Sequence, residues 1–256
     1  MDIIVLIKQV PDLAEELEIN SEGTDLDREY LTVVMNEFCE QALEEAVLLK
    51  EAAGGTVTAV TMDGEEAENI LFTAAAKGAD NLVKVTGDFE DSALDSHALS
   101  AIYAEVLAGR SYDVIMTGVQ AVDDLDGQLG PLLASRLNLP HVSVVAGVTP
   151  DDEGLVVTQE FGGGLTAELA VKTPCVLGVQ AAKQSPRYAP VSKVRAMKQE
   201  KTIEDAEAPA VETPRLKVRA MRTPESSSHA EMLTGSTDDV AEKVVALLRE
   251  RGLVKA

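Results

Sequence analysis

The sequence predicts an α/β fold: a doubly wound, mostly parallel sheet with an antiparallel hairpin, followed by a C-terminal arm that ends in a helix. Short aliphatic runs alternate with helix-period segments over the first 140 residues. That alternation implies right-handed crossovers and a sheet covered on both faces. A Gly162-Gly163-Gly164 turn between two strand-like runs marks the hairpin. Beyond Lys201, prolines accumulate and large apolar residues thin out.

Each element has its own signal. Ile3 to Ile7 is wholly aliphatic and bounded by Lys8 and Pro11, which suits a strand buried on both faces. Cys39, Ala42, Leu43, Ala46, Val47 and Leu49 recur at helical spacing until Gly54-Gly55 stops the helix. Thr56 to Met62 reads as a strand, Glu65 to Lys77 as a helix closed by Gly78, and Leu82 to Val85 as a short strand. The alternation continues with a helix from Asp95 to Leu107, a strand from Val114 to Thr117, a helix from Gly127 to Leu137 and a strand from His141 to Val148. Leu155 to Glu160 and Leu165 to Val171 form the hairpin, and Cys175 to Val179 is one more aliphatic strand. Residues 1–200 are therefore expected to form one α/β domain and 201–256 an arm, extended from Lys201 to Ser228. Ser236 to Asp239 caps the final helix, whose stripe of Val240, Val244, Ala246, Leu247 and Leu248 needs a surface to pack on.

Composition excludes several classes. Hydrophobic residues at 45% and charged residues at 26% exclude wholesale disorder. No apolar run is long enough for a membrane span, and the N-terminus lacks the pattern of a signal peptide, so the chain reads as cytoplasmic. Two distant cysteines, Cys39 and Cys175, support neither a disulfide framework nor a Cys-based zinc site, and no metal is expected. The net charge of −22, with 3% aromatics and no Trp, argues against nucleic acid. Ten basic residues nevertheless gather between Lys183 and Arg222, against five acidic ones. On composition alone this is equally a solvated tail and a docking segment for an acidic surface.

Chemistry is best placed in the loop Gly118-Val119-Gln120-Ala121-Val122-Asp123-Asp124-Leu125-Asp126-Gly127-Gln128-Leu129-Gly130-Pro131. It joins a strand to a helix at the carboxyl edge of the sheet, where open α/β sheets bind ligands. Small residues let backbone approach a phosphate, and the helix N-terminus offers free N–H groups. The three aspartates can cap that helix or bond ribose hydroxyls; by spacing alone the loop is also an ordinary Asp-capped connection. It is neither a Lys-bearing phosphate loop nor a dinucleotide fingerprint. His97, His141 and His229 stand alone, no Gly-x-Ser-x-Gly elbow occurs, and Cys39 reads as a small packed hydrophobe. No catalytic constellation emerges.

Five segments carry a family resemblance: Ile7-Lys8-Gln9-Val10-Pro11-Asp12; Asn36 to Ala46; Ala74-Ala75-Ala76-Lys77-Gly78-Ala79-Asp80; the loop from Gly118; and the hairpin from Glu160 with the following Ser185-Pro186-Arg187-Tyr188-Ala189. In this order the chain resembles the beta subunit of the electron transfer flavoproteins nearly end to end. The resemblance implies an adenine nucleotide alpha hydrolase-like fold and an electron carrier subunit rather than an enzyme. It implies AMP or a second FAD in this chain, and a heterodimer with an alpha subunit carrying the redox-active FAD. That pair would move electrons between dehydrogenases and an acceptor oxidoreductase. Carried over residue by residue, the nucleotide site would use Leu6, Asn36, Phe38, Cys39, Met62, Gly118, Gln120, Ala121, Asp124, Gly127, Gln128 and Leu129. Docking of partner proteins would use Pro186, Arg187, Tyr188, Val191, Lys193, Arg195 and Lys198, and the arm would embrace the alpha subunit. The competing reading is a free-standing adenine-nucleotide-binding stress or sensor protein, which would have no need of the arm.

Overall fold

The computed structural model describes residues 1–29, 31–87, 89, 94–210, 216, 218–224, 230 and 232–254. Within the stretch read as an arm, 211–215, 217 and 225–228 lie outside the described residues, as does His229. The chain opens with β1 (Asp2–Ile7), β2 (Gln9–Pro11) and β3 (Val33–Met35), then α1 (Glu37–Ala53). Strand and helix alternate through β4 (Thr56–Met62), α2 (Ala67–Lys77), β5 (Asn81–Thr86), α3 (Ser96–Leu107), β6 (Val114–Gly118) and α4 (Leu129–Leu137). Next come β7 (His141–Asp151), β8 (Gly154–Phe161), β9 (Leu165–Val171), β10 (Cys175–Val179), α5 (Val191–Glu200), β11 (Ile203–Glu207) and α6 (Thr237–Glu250).

Among the described residues, nine strands make one sheet in the order β11-β5-β4-β1-β6-β10-β7-β8-β9. It is parallel from β11 to β7 and antiparallel through β8 and β9. Burial on both faces accounts for the aliphatic composition of β1. Ile3, Val5 and Ile7 join one core with residues of α1 and α2, whereas Ile4 and Leu6 join another with residues of α3 and α4. From β1 the chain builds outward through β4 and β5, then returns across β1 to lay down β6 on its other side. The switch point between β1 and β6 is therefore a crevice at the carboxyl ends of the strands.

The structure departs from the sequence expectations chiefly in four places, besides small shifts such as α2 starting at Ala67 instead of Glu65. β2 and β3 pair as a small antiparallel sheet, Gln9 opposite Met35, that no sequence pattern announced. β7 runs on to Asp151 and is interrupted by a bulge at Val144 (φ 58), opposite Leu177 to Val179 of β10. α4 begins at Leu129 instead of Gly127, because the Asp126 carboxylate takes the Gln128 N–H before the helix starts. The stretch after Lys201 contributes β11, whose Ile203 to Glu207 pair in parallel with Leu82 to Thr86, so the sheet extends past the expected boundary at residue 200.

Two compact units result, Met1–Arg219 and Ala220–Ala256. In the second, Ser236 and Asp239 form a reciprocal capping box at the start of α6. No helix among the described residues is long and apolar enough to cross a membrane.

Candidate functional site

The crevice is assembled from three backbone segments: the end of β1, the N-terminus of α1, and the loop from Gly118 to Leu129. Asn36 joins them. It is 1% exposed. Its Nδ2 donates to Gln120 O at 2.9 Å and to Cys39 Sγ at 3.4 Å, while its Oδ1 accepts from Val122 N–H at 3.3 Å. Its own N–H donates to Lys8 O at 3.0 Å, and its carbonyl accepts the Cys39 and Glu40 N–H groups. Cys39 Sγ also accepts from Lys8 N–H at 3.4 Å, so the buried sulfur serves as an acceptor inside the joint. Gly118, at the end of β6, lies directly against α1: a Cβ there would stand 2.9 Å from Phe38 C and 3.0 Å from Cys39 N.

Three aspartates beside a proposed phosphate site look repulsive, but the structure engages all three. Lys8 Nζ reaches Asp123 Oδ1 at 2.8 Å and Asp124 Oδ2 at 2.6 Å. Burial opposes the charge on Lys8, yet its hydrogen bonds to Asp123 and then Asp124 outweigh burial and raise its pKa above the usual lysine value. Asp126 accepts from Ser96 Oγ at 2.9 and 3.0 Å and from Gln128 N–H at 3.1 Å. The first N–H groups of α4 have no acceptor within the helix and open beside this loop, an arrangement that suits an anion. Leu125 holds a left-handed backbone (φ 54) and is 64% exposed, with its N–H donated to Ala121 O.

Of the residues singled out from sequence, Asn36, Phe38, Cys39, Gly118, Gln120 and Ala121 come together at this joint, and Asp124, Gly127, Gln128 and Leu129 follow along the same loop. Leu6 lies at the end of β1, but its side chain is in the α3/α4 core, leaving backbone to face the crevice. Met62 connects through Gln9, whose Nε2 donates to Met62 O at 2.8 Å. Sequence reasoning missed Lys8 and Thr117 as members of the site. Thr117 Oγ1 is buried beneath Gly130 and has no hydrogen-bond partner among the described residues, as is true of His141 Nε2; a Cβ on Gly130 would lie 3.3 and 3.0 Å from them. Cys175, the other cysteine, is core, and burial pushes its thiol up to about 12.

His141 carries a prediction. Burial lowers its pKa below 6.5, so the folded chain binds a proton less readily than the unfolded one. Its contribution is fully present above about pH 6.5 and lost as pH falls through the lowered folded value. Melting temperatures from pH 7.5 to 5 should fall more steeply for the native chain than for His141→Gln. Parallel curves would show that His141 takes no part.

The docking residues from sequence divide into two groups. Tyr188 is 82% and Val191 61% exposed, and Lys193, Arg195 and Lys198 are exposed along α5, which packs on α2 through its other face. Lys198 Nζ sits 5.9 Å above the Phe72 ring. Arg187 is different: its guanidinium is engaged by Glu44 and Glu51, and its hydrogen bonds hold the Glu51 carboxyl below the usual carboxylate range. Pro186 is half-buried beside it. Among the described residues, no His, Cys, Asp and Glu cluster is arranged to hold a metal ion.

A family model, the electron transfer flavoprotein domain, matches residues 25–217. The chain belongs to the electron transfer flavoprotein family, as a beta subunit. It is 31% identical over 265 residues to the electron transfer flavoprotein subunit beta of Methylophilus methylotrophus, covering 98% of each chain. To the subunit of the same name from Clostridium acetobutylicum it is 33% identical over 258 residues, again 98% of each. A third similar protein is the acryloyl-CoA reductase electron transfer subunit gamma of Anaerotignum propionicum, 33% identical over 192 residues, 73% of this chain and 71% of that one. The relatives named as electron transfer flavoprotein subunits are electron carriers, and the chain shares that role.

Proposed function

We propose that this beta subunit holds an adenine nucleotide, AMP or a second FAD, at the β1–β6 edge and pairs with an FAD-bearing alpha subunit. The pair passes electrons between dehydrogenases and an acceptor oxidoreductase in the cytoplasm. The observation that carries this reading is the fastened loop: Lys8, Ser96 and the Gln128 N–H engage Asp123, Asp124 and Asp126 beside the open N-terminus of α4. Asn36, Phe38, Cys39, Gly118, Gln120 and Ala121 would form the wall, with Leu6 and Met62 at its flanks, and Asp124, Gly127, Gln128 and Leu129 would face the phosphate. Redox chemistry belongs to the flavin; the protein supplies binding, orientation and exclusion of water. A nucleotide held by the folded chain alone stabilises it by mass action.

The test is extraction of nucleotide from freshly isolated complex, co-expressed with its alpha subunit. One FAD and one AMP per heterodimer, or two FAD, is the expected result; recovery of neither nucleotide from the beta subunit sinks the proposal. The stress or sensor alternative predicts instead that deleting 220–256 leaves nucleotide binding intact with no alpha subunit present.

A further inference from the structure

The segment from Gln180 to Pro190 has no regular secondary structure, yet it is fastened at Ala182, Lys183 and Arg187 to one face of α1. Gln41 Oε1 accepts from Ala182 N–H at 3.0 Å, Glu45 Oε2 from Lys183 N–H at 2.9 Å, and Glu44 Oε2 from Arg187 N–H at 2.9 Å. These three side chains stand at i, i+3 and i+4, so they share one helix face. The Arg187 guanidinium returns to the same face, with Nε and Nη2 on Glu44 at 2.9 to 3.1 Å and Nη1 on Glu51 at 2.8 Å. Lys77 Nζ donates to Arg187 O and to Glu40 Oε1, both at 2.6 Å. Glu44 is 3% and Glu45 0% exposed. Burying two carboxylates is costly unless they are paired and hydrogen-bonded, and an apolar helix face against the same segment would avoid that cost. What the ionic arrangement adds is a fixed geometry for an irregular segment. The residue directly after the clamp is Tyr188, 82% exposed, and Val191 at the start of α5 is 61% exposed.

We propose that Glu44 and Arg187 are positioning residues for partner docking: their pair, seated on α1, presents Tyr188 and Val191 to a redox partner protein in one conformation. This rests on the reading of 186–198 as a docking segment. Presenting two exposed apolar side chains from a preorganised backbone removes an ordering cost from each encounter. The pair acts on encounter with the partner.

The experiment uses the intact heterodimer and a dehydrogenase chosen because it reduces the wild-type complex. Glu44→Gln is expected to raise KM for the dehydrogenase about tenfold while the limiting rate and nucleotide content hold, since weaker docking without altered chemistry moves KM alone. Arg187→Lys keeps the charge but loses the two-pronged contact, and is expected to raise KM less while folding as the wild type does. Adding Tyr188→Ala to Glu44→Gln should cause little further loss beyond Tyr188→Ala alone, because the pair works through that residue. If Tyr188→Ala raises KM but Glu44→Gln and Arg187→Lys leave it unchanged, or if the double-variant effects simply multiply, the positioning role is overturned. If Tyr188→Ala itself leaves KM unchanged, the docking segment lies elsewhere and the inference falls with that reading.

Discussion

Asn36→Ala is expected to lower stability by about 3 kcal/mol and to release the nucleotide from the purified complex. The side chain is 1% exposed and makes contacts to Gln120 O, Val122 N–H and Cys39 Sγ. Truncation leaves a loop carbonyl and a loop N–H short of partners, and each unsatisfied buried group costs roughly 1–3 kcal/mol. For a chain of this size the melting temperature should drop by about 6–12 °C. The functional consequence is separate from the thermodynamic one. Asn36 is the only side chain among the described residues that hydrogen-bonds both the Gln120 carbonyl and the Val122 amide. Without it the loop is no longer registered against α1, and the N–H groups opening at α4 lose their fixed relation to β1. Calorimetry together with nucleotide extraction checks both effects. A melting shift below 2 °C, or full nucleotide content after gel filtration, would show that the loop is held by something other than Asn36.

The parts of this fold that could be read from sequence are those in which a residue's environment repeats along the chain. Ile3 to Ile7 is aliphatic throughout, and Val114 to Thr117 and Cys175 to Val179 are mostly apolar, because parallel strands are covered on both faces, and burial at these positions follows that pattern. β11 escaped because it lies at the sheet edge, where Glu204, Asp205 and Glu207 blunt the exposed ladder and disguise its strand character. Their charges are met by residues far away in sequence, Arg110 for Glu204 and Lys84 for Asp205. The small β2–β3 sheet escaped for a related reason: three residues are too few for a period, and its pairing is long-range.

Within the site, the loop from Gly118 was legible because glycines and aspartates between a strand and a helix have a local meaning. The ion pairing of that loop was not, since Lys8 lies more than a hundred residues away. Glu44 and Glu45 show the same limit. On a helix whose apolar residues already occupy one face, two adjacent glutamates read as solvent-facing. The return of residues 182–187 over that face, with the Val148 N–H of β7 on the other Glu45 oxygen, makes them buried acceptors. Arg187 was legible as a cation near a docking surface, whereas its partner on α1 was not.

Gly118→Val is expected to be the most damaging single change at the crevice. Unlike glycines that serve a left-handed turn, Gly118 sits in a regular parallel pairing with Val179, so the constraint is space alone. Its absent Cβ would meet Phe38 C and Phe38 Cβ at 2.9 Å and Cys39 N at 3.0 Å. Two of these are backbone atoms in the first turn of α1, which cannot swing aside as a flexible side chain could. Either the strand or the helix must move. Shifting α1 breaks the Asn36 contacts to the loop and the Lys8 N–H contact to Cys39 Sγ, because both depend on the same helix end. Overpacking alone costs about 1–3 kcal/mol, and the lost hydrogen bonds add to it, so a total near 4 kcal/mol is expected. Gly118→Ala should show the same effect at about half the size, and Gly162→Ala, with nothing within 4 Å of its Cβ position, serves as the control at under about 0.5 kcal/mol. Urea midpoints and nucleotide content measured across the three variants test the ordering. Because Gly118 and Asn36 act on one contact, combining Gly118→Ala with Asn36→Ala should cost less than the two changes measured separately. Full additivity would mean that strand β6 and the N-terminus of α1 are not joined through that contact.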